Sequence, residues 1–363
     1  MKILLVCTRP VVGGNLTYLC ELTKRIAADN RVDLHIAIHA NIFNYLFDEA
    51  NVTAYKLYNK FGHIGEGYAV KKVEDTVRPD VVHFTNTLPP FFYMTKARLV
   101  CTIHDLNFLT VSQGFFKNLY KKLSYKISRN KINGILFVSN YTRQVFNRYI
   151  PELLVSEKVV HEASKFKTIE CNQVGELCKE NYVVAFAHRN HKNPQAAYEI
   201  VRLYNELFLD DMRILFVGRL ALKQSISSGE LLEDALKNDN IRYDIIEGVS
   251  DEALQGVYQK ASALIFLSNY EGFGLPVLES LGNGCPVITH RKCSIPEVAG
   301  HAALYIVDNK NGYHEAAKYL WNLNHDKKLY KNEILKGLTQ ASKFSWEEVA
   351  DNTVKFYLQL CDS

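Results

Sequence analysis

Residues Glu271-Gly-Phe-Gly-Leu-Pro-Val-Leu-Glu279 decide how the rest of this chain is read. A glutamate closes each end, and a Gly-Phe-Gly-Leu-Pro turn lies between them. Upstream, the apolar run Ala263-Leu-Ile-Phe-Leu267 predicts a buried strand. Downstream, Val277 to Leu281 predicts the start of a helix, with Pro276 suited to its first turn. A strand, a glycine turn and a helix N-terminus leave backbone N–H groups free and add the positive end of a helix dipole. Such a place suits an anion such as a phosphate. Flanking carboxylates suit hydroxyls, because each can accept two or more O–H bonds. Phosphate beside many hydroxyls describes a sugar nucleotide.

The surrounding chain alternates strands and helices. In the first half, Ile3–Cys7, Val32–Ile38, Asp80–Thr85, Leu99–Ile103 and Ile135–Ser139 predict strands, and Leu16–Ala28 predicts a helix. In the second half, Tyr182–Ala187, Arg213–Val217, Arg242–Ile246, Ala263–Leu267 and Pro286–Thr289 predict a second set of strands. Alternation of this kind implies parallel sheets wrapped by helices, an α/β class. The polar stretch from Ser164 to Asn181 lacks periodicity and reads as a linker. A chain of 363 residues can hold two ordinary domains.

Composition excludes several function classes. Hydrophobic residues at 47% and charged residues at 23% fit a water-soluble globular protein. No apolar run of about 18 residues occurs, so no transmembrane helix is expected. Met1-Lys-Ile-Leu-Leu-Val-Cys7 reads as a strand rather than a signal peptide. The eight cysteines are scattered without C-x-x-C or zinc spacing, which predicts reduced thiols in a cytosol. A net charge of +4 and the lack of a nucleic-acid motif argue against nucleic acid as a partner. Gly65-Glu-Gly-Tyr is half of a dinucleotide fingerprint, and no clear strand precedes it, so no NAD site is expected. No Asp-x-Asp occurs, so no essential metal and no cofactor are expected.

The nine-residue string, followed by Gly284-Cys-Pro-Val-Ile288 and Ser294-Ile-Pro-Glu-Val-Ala-Gly300, closely resembles the signature of retaining family-four glycosyltransferases (glycosyl transferases group 1). The start of the last helix, Phe344-Ser-Trp-Glu-Glu-Val-Ala350, resembles that family as well. The resemblance implies a GT-B fold, in which two Rossmann-like domains face each other across a cleft. It implies an acceptor-side domain over 1–164, a nucleotide-sugar domain over 165–344, and a helix over 345–363 that crosses back to the first domain.

The same resemblance assigns roles to residues. Glu271 would accept bonds from donor-sugar hydroxyls near the reacting carbon. Gly272, Phe273, Gly274 and Leu275 would line sugar and phosphate, the last three through their N–H groups. Glu279 would bind the ribose, and Val249, after Gly248, would meet the base. Lys192 in His188-Arg-Asn-His-Lys-Asn193 would clamp the diphosphate, with Arg189, His188 or His191 completing the clamp. Gly13-Gly14 opens a helix and would face the donor, or forms a plain tight turn. His104, at the end of a strand, would sit beside the donor sugar, or is a structural histidine.

The function implied is transfer of a hexose, of mannose or glucose type, from a UDP- or GDP-linked donor to a hydroxyl of a glycan or lipid-linked acceptor. Surface polysaccharide or lipopolysaccharide synthesis at the cytoplasmic face is the expected setting. Two alternatives remain at this stage: a non-catalytic sugar-nucleotide-binding subunit of an assembly complex, and a GT-B sugar-nucleotide epimerase. Residues 115–131 combine an apolar stripe with lysines and read either as a peripheral membrane contact or as an ordinary first-domain helix.

Overall fold

A computed structural model describes residues 1–45, 52–58, 62–86, 88–90, 92–106, 131–149, 155–176, 179–226 and 228–362. The chain divides into two compact units, Met1–Ala163 with Ser345–Ser363, and Ser164–Phe344.

In the first unit, strands β1 (Lys2–Cys7), β2 (Asp33–His39), β3 (Thr53–Leu57), β4 (Val81–Phe84), β5 (Arg98–Ile103), β6 (Gly134–Phe137) and β7 (Ser156–Val159) form one sheet. Their order is β3-β2-β1-β4-β5-β6-β7, and every pairing is parallel. The central strands are buried along their length, as expected where helices cover both faces. Helix α1 (Gly14–Ala27) follows β1, α2 (Gly62–Val77) follows β3, and α3 (Asn140–Tyr149) follows β6.

The second unit repeats the plan with β8 (Tyr182–Phe186), α4 (Pro194–Phe208), β9 (Arg213–Val217), α5 (Leu232–Asn238), β10 (Tyr243–Ile246), α6 (Asp251–Lys260), β11 (Ala263–Phe266), α7 (Leu275–Gly282), β12 (Val287–Thr289), α8 (Ile295–Ala299) and β13 (Ala303–Tyr305). Its parallel order is β10-β9-β8-β11-β12-β13. Helices α9 (Lys310–His325) and α10 (Lys327–Ala341) complete it. Its core runs from Ile200, Val201 and Tyr204 on α4 through Ile214 and Phe216 on β9 to Ile265 and Leu320. Each sheet reverses its winding at one place, between β1 and β4 and between β8 and β11. In open α/β sheets ligands bind outside the carboxyl ends of the strands at such a switch point.

Helix α11 (Trp346–Asp362) packs in the first unit, where Trp346 meets Tyr18 edge-on and Tyr357 bonds His83. It comes so near β6 that a Cβ at Gly134 would lie 2.7 Å from both Phe356 and Leu360. That distance is far inside van der Waals contact, so the glycine is required by the helix on top of it.

The structure departs from the sequence expectations in identifiable places. β3, β7 and β13 were not expected. They are short, half-buried sheet edges: β3 and β7 are of mixed composition, and β13 is three residues within the apolar run Ala302–Val307. A strand does precede Gly65-Glu-Gly67, but those residues lie inside α2 rather than at a strand-to-helix turn. The first part of the expected linker, 164–176, is packed rather than free: Phe166 meets Tyr258, Ile169 bonds Gly282, and Val174 joins Ile334 and Leu338. Apart from Lys131, the basic stretch 115–131 lies outside the described residues.

Candidate functional site

The second unit's switch point brings two of the expected residues together. β8 ends at Phe186, and the chain turns through His188 and Arg189 into a short 3-10 turn, Asn190–Lys192. β11 ends at Phe266 and leads through Ser268, Asn269 and Tyr270 to Glu271. Lys192 Nζ donates to Glu271 Oε1 at 2.7 Å, with both side chains largely buried. The ammonium also stands over the Phe266 ring at 4.9 Å. Its remaining N–H groups have no other hydrogen-bond partner among the described residues. A buried pair of this kind is stable only while both charges remain matched.

Main-chain stitching holds the two loops in register. Asn269 N donates to His191 O at 2.7 Å, and Ser268 Oγ shares its proton between His191 O and Tyr270 O. Beyond Glu271, buried Ser294 shares its hydroxyl between Glu271 O and Phe273 O, at 3.2 and 2.7 Å. The glycine turn then opens α7, which begins at Leu275, earlier than expected. Gly274 is its N-cap, with φ +110°. Only glycine takes that conformation without strain, and a Cβ there would also stand 2.8 Å from Ile295 Cδ1. Pro276 has no N–H, and the amides of Val277 and Leu278 turn back to Gly274 O. Among the described residues the amides of Gly274 and Leu275 have no acceptor. Free amides at a helix N-terminus are donors suited to an anion.

Glu279, one turn into α7, is 7% exposed, and its Oε2 lies 3.3 Å from the Tyr258 hydroxyl. Burial pushes its pKa up to about 7, against the opposing influence of Lys165 and of the Tyr258 hydrogen bond. Arg189 is exposed and has no carboxylate partner among the described residues. His188 beside it is pushed down to about 4, first by the packing around it and then by the charges of Lys192, Arg189 and His191. It is therefore neutral at pH 7, and the fixed cations here are Lys192 and Arg189. Gly248 has φ +63°, and Val249 after it is exposed.

In the first unit, Gly13 caps α1 with φ +60° and accepts the amides of Leu16 and Thr17. His104 follows β5. Its Nδ1 lies 2.8 Å from Glu162 Oε1 and its Nε2 lies 2.8 Å from Thr85 O. A carboxylate and a carbonyl both accept, so this setting favours the ring with both nitrogens protonated. Burial works against that charge, but Glu162, and then Thr85 O and Asp105, hold the pKa above its ordinary value. Tyr18 packs edge-on against the ring at 4.6 Å. Both polar atoms of His104 are thus engaged within its own unit.

Sequence reasoning did not single out Ser268, Tyr258 or Glu162, and it quoted Ser294 only as part of a string. Their signal is their contacts, and each contact joins residues far apart in the chain. Among the described residues no group of three His, Cys, Asp or Glu side chains could hold a metal ion. No helix among them is long and apolar enough to cross a membrane.

Comparison with known proteins agrees with this geometry. The family model "Glycosyltransferase Family 4" matches residues 12–159, and "Glycosyl transferases group 1" matches residues 172–337. The O-antigen chain mannosyltransferase B of Escherichia coli is 26% identical over 285 residues, which cover 74% of this chain and 72% of that protein. Sucrose-phosphate synthase from Thermosynechococcus elongatus superposes with a TM-score of 0.77 at 15% identity, covering 99% of this chain and 98% of that one. Anabaena HepE, solved in complex with UDP and glucose, superposes with a TM-score of 0.73 at 14% identity, covering 98% of this chain and 99% of that one. Two Rossmann-type sheets, the glycine turn between Glu271 and Glu279, and the two matching models together make this chain a glycosyltransferase of GT-B fold belonging to family four.

Proposed function

We propose that this protein is a retaining hexosyltransferase. It moves a mannose- or glucose-type sugar from a UDP- or GDP-linked donor to a hydroxyl of a glycan or lipid-linked glycan, in surface polysaccharide or lipopolysaccharide synthesis. The observation that carries this is the buried Lys192–Glu271 pair beside the amides of Gly274 and Leu275, at the switch point of a Rossmann-type sheet. An anion and a hydroxyl-rich group can be bound there side by side. The likeness to an O-antigen mannosyltransferase favours mannose, and the UDP and glucose of HepE favour a glucose-type donor.

The donor's diphosphate meets Lys192, Arg189 and the N-terminus of α7. Gly13 and Gly14, at the start of α1, have the donor-binding role that the family resemblance gives them. As the sugar–phosphate bond breaks, negative charge grows on the leaving diphosphate, and fixed cations with preoriented amides stabilise it without reorganising. Glu271 accepts sugar hydroxyls through the oxygen not held by Lys192 and steers the ring, without forming a covalent intermediate. Glu279 accepts the ribose hydroxyls, Val249 meets the base, and Gly272 and Phe273 line the sugar. The acceptor oxygen attacks the face that the diphosphate leaves, and the departing phosphate oxygen takes the acceptor proton. His104 has the catalytic role that the family resemblance gives it, and its bonds to Glu162 and Thr85 O favour a proton donor over a base. Two fixed cations in place of a metal make the reaction metal-independent. The basic stretch 115–131 gives contact with the cytoplasmic face of a membrane.

A thermal-shift panel of UDP, GDP and their hexose conjugates, without metal and then with Mg²⁺, tests the donor site, because a ligand that binds only the folded state raises Tm. One base standing clear of the others without metal supports the assignment, and no shift with any nucleotide overturns it. The anomeric coupling in the NMR spectrum of the product then decides retention.

A further inference from the structure

The second unit carries a cavity of about 540 Å³ against α10, and none of its lining residues belongs to the donor site. That volume lies within the roughly 300–1,000 Å³ of pockets that hold whole small molecules. One wall is a single helical stripe. Asn332, Lys336, Thr339 and Lys343 recur three or four residues apart, so they share a face of α10 and the turn after it. The opposite face of the same helix, with Ile334 and Leu338, is buried. The other wall is the turn after α8, with His301 and Ala302.

No carboxylate lines the cavity, and two lysines do. Lys336 Nζ donates to Glu333 Oε1 at 2.7 Å, and Lys343 Nζ donates to Gln340 Oε1 at 2.9 Å. An ammonium has three N–H groups, so each lysine keeps two for a ligand. Lys343 has no carboxylate partner among the described residues. The side chains of His301 and Asn332 have no hydrogen-bond partner among them either. Gln340, 9% exposed, is fixed from behind: its Nε2 donates to Val298 O at 2.9 Å, and a Cβ on Gly300 would stand 2.8 Å from its Oε1. That part of the wall is set before a ligand arrives, which lowers the cost of binding.

We propose that this cavity is a second ligand site, for a sugar that carries one anionic group, a phosphate or a carboxylate. Lys336 and Lys343 take the anion, Asn332, Thr339 and Gln340 take hydroxyls, and Leu335 with Ala302 meets the apolar face of the ring. The site shares no residue with the donor site and stands whether or not the donor assignment does.

The test is calorimetric titration of the whole protein with mannose 6-phosphate, glucuronate, inorganic phosphate and methyl mannoside. Wild-type protein is compared with the double variant Lys336→Gln, Lys343→Gln. The anionic sugars should bind wild-type protein, with a Kd at least tenfold below that of inorganic phosphate or of the neutral sugar. The double variant should raise that Kd by about tenfold or more, since two charge-assisted bonds are lost, and leave Tm unchanged because both lysines are at the surface. In wild-type protein labelled with ¹⁵N, the amides of His301, Asn332 and Lys336 should move with the anionic sugar, while those of Gly274 and Leu275 stay in place. Tighter binding of mannose 6-phosphate identifies a soluble sugar phosphate as the ligand, and tighter binding of glucuronate identifies an acidic glycan residue. No binding of either anionic sugar, equal binding of inorganic phosphate, an unchanged Kd in the double variant, or shifts confined to the donor turn overturns the proposal.

Discussion

Lys192 Nζ and Glu271 Oε1 lie 2.7 Å apart, although 79 residues separate them in the chain. They come from the ends of β8 and β11, the neighbouring strands at which the sheet reverses its winding. The pair sets Lys192 at the switch point before any ligand arrives, and it makes each residue's loss an electrostatic problem for the other.

Lys192→Ala should lower kcat by about 10²–10³ and raise the donor KM much less, because the charge is needed most as the diphosphate leaves. It should also destabilise the fold by about 3–5 kcal/mol, since Glu271 would be left buried and unmatched. Adding Glu271→Gln should restore much of that stability and none of the turnover. Urea melts and steady-state kinetics on the single and double variants separate the two effects. Unaltered kcat in Lys192→Ala would remove the lysine from the clamp.

Glu279 makes donor binding depend on pH. Its folded pKa, about 7, stands above the ordinary 4.5 because the carboxyl is buried. The folded state therefore holds a proton that the unfolded state has lost, and unliganded stability falls as pH rises from 4.5 to 7. Ribose hydroxyls favour the carboxylate, so nucleotide affinity should rise over that window and binding near pH 6.5 should release a proton. Calorimetry in buffers of different ionisation enthalpy reads the release directly. Glu279→Ala should abolish the proton release and weaken nucleotide binding by roughly 1.5–3 kcal/mol.

Gly274→Ala places a Cβ at φ +110° and 2.8 Å from Ile295 Cδ1. The backbone strain alone costs about 1–3 kcal/mol. The displaced amides of Gly274 and Leu275 should also weaken nucleotide diphosphate binding. A variant with wild-type stability and wild-type affinity would show that this turn does not hold the anion.

His104 should titrate above its ordinary 6.5, because Glu162 and Thr85 O both favour the imidazolium. A raised histidine pKa contributes stability that is complete below the unfolded value and fades as pH rises through the folded one. Glu162→Gln removes the partner charge, so the titration followed by NMR at the ring C–H should move down. A His104 pKa that stays put would mean Glu162 does not govern it.

Much of this architecture was legible in the sequence. The strands of the two cores are continuous apolar runs, which only burial on both faces explains, and their alternation with helices dictates parallel sheets. Gly274 and Pro276 marked the helix start because each has one physical use there. The edge strands β3 and β7 were not legible, because a half-buried edge needs no apolar run. Nor was the packed state of Phe166 and Val174, whose partners lie far along the chain.

The sequence by itself determined which local conformations were available: a glycine turn between two glutamates, a buried strand before it, and a helix dipole after it. Only the tertiary structure decided that Lys192 meets Glu271, that Ser294 and Ser268 clamp the turn, and that His104 bonds Glu162. Those are contacts between strand ends, set by sheet order. The order of strands is a long-range property, fixed by the packing of two whole cores, and residue spacing carries no record of it.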